Sequence, residues 1–273
     1  MLFRRRRVRS EKLVRRRRQV ILARLGVTIL MVLILVGGAS WLLHNPAITL
    51  TDVVIQGNHV VSDEEILRVV DKTLAGSYLL IFPRRSSLVY PERELSQRLL
   101  EDLPRIKSVE LVRVDPHTLS IEVREQQPSV LWCRESAEGA LDECYFVNED
   151  GFVYAPAPNF TGNVFFRFYG DIVADNPVGE HVWGSDFDRV MLLIGSLGDL
   201  NMVPVALRPL DRSDVRLEME DGSAILFGRK QRPSEVIDNL NAVLGSETFE
   251  GVLGEDIDYI DLRFGNKVYF KLR

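Results

Sequence analysis

A run of nineteen uncharged residues, Leu25 to Leu43, follows directly on an arginine-rich start and limits what this chain can become more than any other feature. At about 1.5 Å of rise per residue, a helix of that length reaches roughly 28 Å, close to the thickness of a bilayer's hydrocarbon layer. The expectation is one transmembrane helix over 25–43, held by the lipid bilayer. Ahead of it lie Arg4 to Arg7, Arg9, Lys12, Arg15 to Arg18 and Arg24, with Glu11 the only acid. Positive flanking charge stays on the cytoplasmic side, so residues 1–24 read as a basic cytoplasmic tail and the chain beyond Leu43 as extracytoplasmic. Trp41 suits an interfacial anchor. A cleaved signal peptide would share the basic start, and Gly37, Gly38 and Ala39 are small enough for a cleavage site, but the apolar run exceeds the usual core of such a peptide.

Charge separates two unlike parts. Residues 1–24 carry eleven bases and one acid, a net +10, so the rest of the chain must carry −15 to reach the overall −5. An acidic external part argues against a nucleic-acid partner. At about 230 residues it is long enough for two modest domains. Cys133 and Cys144 both fall there, ten residues apart in between, and two such thiols can close a structural disulfide in an oxidising compartment, pinning a loop between two strands. The histidines His44, His59, His117 and His181 are scattered without metal-ligand spacing. No metal or cofactor is expected.

The first external segment has the pattern of a small αβ unit. Residues 48–57 are β-branched and apolar and end in a Gly57-Asn58 turn, which predicts a strand. Ser62 and Glu65 form a capping-box pattern opening a helix whose face carries Ile66, Val69, Val70 and Thr73. A second helix starts near Pro91 and runs through Leu95, Leu99 and Leu103. Two strands follow: Val109 and Leu111 share a face with Arg113, while Leu119, Ile121 and Val123 alternate cleanly with polar neighbours, and Asp115-Pro116-His117-Thr118 turns between them.

The second external segment reads as mostly β with two helices. Residues 145–147 and 152–154 flank an acidic turn, Asn148 to Gly151. Val190, Leu193, Ile194 and Leu197 mark one helix, and Val236, Leu240, Val243 and Leu244 another, each with one apolar stripe to lay on a sheet. Val215, Leu217 and Met219 lead through Asp221-Gly222 into Ala224 to Phe227, a hairpin. At the end, Ile260, Leu262 and Phe264 are expected to face a core and Asp261 and Arg263 to face out, with Gly265-Asn266 turning into Lys267 to Leu272. If that last strand lies at a sheet edge, its free N–H and C=O groups invite a partner strand, with Lys267 and Lys271 as guards against self-pairing.

The stretches VVIQGNHVVSDEEIL (53–67), VDPHTLSIEVREQQPSVLW (114–132) and YIDLRFGNKVYFK (259–271), in this order behind a basic tail and one apolar helix, resemble the bacterial cell division family FtsQ/DivIB over nearly the whole chain. The resemblance implies an α+β fold class: a transmembrane helix, a POTRA domain (β-α-α-β-β) over 48–126, and a mostly antiparallel β domain with two flanking helices over 128–273. It also implies a non-enzymatic, single-pass divisome scaffold of the inner membrane and division septum. Its β domain would take up a segment of FtsB, which travels with FtsL, and its POTRA domain would contact other division proteins. Carried onto matching positions, the contact candidates are Arg263, Phe264, Val268, Tyr269 and Phe270, with the aromatics giving area and Arg263 a charged hydrogen bond. The Cys133 and Cys144 pair is a departure from the family's general pattern. No G-x-S-x-G, P-loop, H-E-x-x-H or dinucleotide glycine pattern is present. The alternatives are a POTRA-bearing accessory of an envelope transport system and a membrane-anchored envelope enzyme.

Overall fold

The computed structural model describes residues 11–79, 81–134, 143–170, 172, 176–184, 186–249, 256–265 and 267–273, with main chain only for 11–14 and Thr248. The arginines at 4 to 7 and 9, and Asn266 of the last turn, lie outside the described residues. Two compact units divide the chain. The first holds the long N-terminal helix and a three-stranded sheet; the second holds a nine-stranded sheet.

Helix α1 (Glu11–Leu43) contains the apolar run and extends well ahead of it. Residues 11–24 contain neither glycine nor proline, so nothing in this part of the basic segment breaks the helix. It is the one helix among the described residues long and apolar enough to cross a membrane. Asn45 then accepts from Ala47 N and caps a short 3-10 turn, Pro46–Ile48. That turn takes the start of the expected strand, so β1 is only Asp52–Gln56.

Helix α2 (Asp63–Leu74) has the full capping box: Ser62 Oγ accepts from Glu65 N, and Glu65 returns to Ser62 N. Its buried stripe is Ile66, Val69, Val70, Thr73 and Leu74. A small hairpin that the sequence pattern did not announce follows, β2 (Ser77–Tyr78) and β3 (Phe82–Pro83). Helix α3 (Glu92–Asp102) buries Leu95 and Leu99. It stops before Leu103, contrary to expectation, because Pro104 disfavours helical backbone at the residue preceding it. Strands β4 (Ile106–Arg113) and β5 (Thr118–Glu125) complete the sheet in the order β1-β5-β4, with β1 parallel to β5. Gly57, at φ +84°, ends β1 where a Cβ would stand 2.1 Å from the Val123 carbonyl oxygen, so only glycine fits that turn.

In the second unit come β6 (Val130–Arg134), β7 (Glu143–Val147), β8 (Val153–Pro156), β9 (Arg167–Tyr169), α4 (Asp186–Leu197), β10 (Pro204–Pro209), β11 (Asp214–Met219), β12 (Ala224–Gly228), α5 (Pro233–Leu244), β13 (Ile257–Phe264) and β14 (Lys267–Leu272). The sheet order is β14-β13-β12-β11-β10-β9-β6-β7-β8. Five of its eight pairings are antiparallel; β12-β13, β10-β9 and β6-β9 are parallel. The α+β class with a mostly antiparallel sheet is therefore what the chain adopts. Helices α4 and α5 lay Leu193, Leu197, Val236 and Leu240 on a core with Phe168, Leu207, Leu217 and Ile260, all at most 3% exposed. This leaves the strands at the two ends of the sheet as its edges.

Candidate functional site

Strand β14 is one of those edges. It pairs on one side with β13, antiparallel, and no described strand lies on its other side. Side chains alternate across it. Val268 and Phe270 point to the helix face: Val268 packs against the core, and the Phe270 ring stands edge-on to Phe249 with centroids 4.7 Å apart. Between α5 and this edge runs a groove of about 320 Å³ lined by Asn239, Val243, Ser246, Phe249, Val268 and Phe270. On the opposite face Tyr269 meets Phe264 edge-on at 5.3 Å, and Lys271 Nζ holds Asp258 Oδ2 at 2.7 Å. Tyr269 is 54% exposed, Phe270 39% and Leu272 45%. Large apolar groups are thus concentrated on one edge strand, where an isolated fold gains nothing by leaving them in water.

The structure places three of the five sequence-derived candidates, Val268, Tyr269 and Phe270, on the edge strand and sets a fourth, Phe264 at the end of β13, against Tyr269. Two expectations about the preceding strand need correction. Phe264 does not face the core; it is 54% exposed. The pairing of β13 with β14 shifts between Asp261 and Phe264, and such a bulge breaks the two-residue alternation on which the expectation rested. Asp261 lies on the face of Tyr269, away from the helices, but is not exposed there; it is buried.

A buried carboxylate needs partners, and Arg263 supplies them. Its Nε and Nη2 donate to the two Asp261 oxygens at 2.9 and 2.7 Å, and its Nη1 donates to Asp214 Oδ2 on β11 at 2.9 Å. Burial pushes the Asp261 carboxyl up, but the bonds from Arg263 outweigh it and hold the group below the usual carboxylate range. Asp261 and then Asp214 in turn raise the Arg263 guanidinium. Arg263 therefore ties β13 to β11 from within. Nothing in strand alternation announces that tie; the only sequence signal is the two-residue spacing of Asp261 and Arg263.

At the far end of the sheet, Cys133 and Cys144 stand opposite each other in the β6-β7 register and are joined as a disulfide. Cys133 is fully buried among Leu131, Tyr169 and Ala206. Among the described residues no three His, Cys, Asp or Glu side chains converge as metal ligands.

Residues 48–126 match the family model described as the FtsQ-type POTRA domain. Two curated relatives are each named cell division protein FtsQ. The one from Mycobacteroides abscessus is 24% identical over 218 residues, 80% of this chain, and the chain spans 63% of its length. The one from Burkholderia pseudomallei is 23% identical over 253 residues, 91% of this chain and 90% of that protein. Residues 48–126 are thus an FtsQ-type POTRA domain, and with the apolar helix ahead of it and the sheet behind it the chain is similar over most of its length to bacterial proteins named cell division protein FtsQ.

Proposed function

We propose that the protein is a non-enzymatic, single-pass scaffold of the divisome that holds an FtsB-type segment, together with its FtsL-type companion, by strand addition at β14, and so helps recruit or regulate septal cell-wall synthesis. The observation that carries this reading is the open edge: β14 ends the sheet, its outer backbone has no described partner strand, and Tyr269, Phe270 and Leu272 stand exposed along it. Backbone hydrogen bonds would give affinity there, and the alternate side chains selectivity. Phe264, Val268, Tyr269 and Phe270 are the contact residues. Arg263 serves as a positioning residue, since its guanidinium is engaged by Asp261 and Asp214.

On this reading the arginine-rich tail, 1–24, is cytoplasmic, α1 crosses the inner membrane over 25–43, and the POTRA domain, 48–126, meets other division proteins beyond it while the β domain, 128–273, receives the FtsB-type segment. The protein then gathers at the septum. Co-purification from full-length chain tests the edge. Tyr269→Ala and Phe270→Asp are each expected to abolish recovery of the FtsB-type and FtsL-type partners while the unfolding profile of the sheet is kept. Recovery undiminished in both variants defeats the proposal. A fluorescent fusion adds the location: a midcell band is expected, and uniform membrane signal favours the transport-accessory or tethered-enzyme alternatives.

A further inference from the structure

The hairpin β2-β3 turns at a residue that a water-exposed turn would rarely choose. Leu79 sits at φ +50° and is 83% exposed. Left-handed backbone favours glycine or asparagine, and a bulky apolar residue there gains nothing from water. The same hairpin is tied to the apolar helix. Ser40 Oγ of α1 donates to the Ile81 carbonyl at 2.9 Å, and Ser40 lies three residues inside the end of α1, about 4.5 Å along its axis. The connections agree with that placement. The chain beyond the hairpin pairs back with the segment that leaves α1, through Leu50 N to Arg85 O at 2.9 Å and Ser87 N to Ile48 O at 2.8 Å.

We propose that the β2-β3 hairpin, led by Leu79, dips into the membrane–water interface beside the outer end of α1, making the POTRA unit a second, shallow membrane contact. The proposal rests on α1 being a membrane span. Backbone groups at that depth need internal partners, and both of Ile81's have them: its N–H donates to Tyr78 O at 3.0 Å and its carbonyl accepts from Ser40. Tyr78 and Trp41, 36% and 76% exposed, are the amphipathic rings that favour the headgroup level. The two arginines that follow are engaged within the fold, Arg84 by Glu94 and Arg85 by Asp71. The contact is therefore apolar and does not call for an anionic headgroup.

Leu79→Cys in the full chain, labelled with an environment-sensitive dye and reconstituted in phosphatidylethanolamine–phosphatidylglycerol vesicles carrying doxyl lipid, reads the depth directly. The parent chain, taking no dye, shows that Cys133 and Cys144 are silent. Trp41→Cys marks the span, and Val60→Cys, past the far end of β1, marks the aqueous side. Quenching at position 79 is expected within about twofold of that at position 41 and several-fold above that at position 60, and unchanged in pure phosphatidylcholine. Quenching at 41 but not at 79 overturns the proposal and leaves the span standing. Quenching at neither removes the span and the proposal together, and quenching at 79 only with phosphatidylglycerol overturns the apolar contact.

Discussion

Asp261 shows how much one buried charge constrains the edge beside it. Three consecutive residues of β13, Ile260 to Leu262, are buried, and the middle one is a carboxylate. Removing Arg263 would leave that charge without its main donor, so Arg263→Ala is expected to cost about 2 kcal/mol, the penalty for stranding a buried polar group. Urea unfolding of the detergent-solubilised chain, followed through Trp132 and Trp183, measures it. The pH dependence has a definite sign. Asp261's carboxyl is held below its ordinary range in the folded state, so its contribution is complete above about pH 4, the unfolded carboxylate's value, and is lost as pH falls through the folded one. Asp261→Asn should therefore weaken the fold at neutral pH and flatten the acid side of the stability curve; an unaltered acid limb would show that the carboxyl carries no such linkage. Little of this was legible in the sequence. Alternation placed Asp261 outward, and it does share the face of Tyr269, but Arg263, two residues on, closes over it with bonds to both carboxylate oxygens, which alternation does not announce.

Elements whose signals are local were the most legible. The Ser62 and Glu65 capping box fixes the start of α2 within a residue, because both of its hydrogen bonds close inside one turn. Ser62→Ala should lower the stability of the first unit by about 1 kcal/mol, read as faster amide exchange in α2 peptides. The β11-β12 hairpin and the stripes of α4 and α5 were equally readable, since periodicity and turn chemistry set them. The order of the sheet was not. Parallel neighbours such as β6 and β9, or β12 and β13, are brought together by chain that runs elsewhere in between, and no short window of sequence encodes that meeting. For the same reason the candidate residues of the last strand were readable while its place in the sheet was not; the order of nine strands puts β14 at one end and β8 at the other. The β2-β3 hairpin was missed because its strands are two residues each, too short for any alternation to register.

At the scale of the molecule, the two compact units differ in how they are held. The first closes a three-stranded sheet under two amphipathic helices and contains no cysteine. The second spreads nine strands and places its one covalent tie across β6 and β7, toward the end of the sheet away from β14. A bridge between positions 11 apart limits the unfolded chain by closing a short loop, worth about 3 kcal/mol at most in the chain-entropy view. Its effect should stay within its own unit, because loop closure acts on the segment enclosed and on whatever folds with it. Cys133→Ala combined with Cys144→Ala keeps the buried position apolar and removes only the bond. Hydrogen–deuterium exchange on the full chain is expected to show faster opening in peptides of β6, β7 and β8, while peptides of α2, α3 and β5 keep their protection. Partner recovery through β14 should also persist, since that edge is built on Phe249, Phe264 and the Arg263 pairs rather than on the bridge. Loss of protection in both units together would mean that they unfold as one cooperative body.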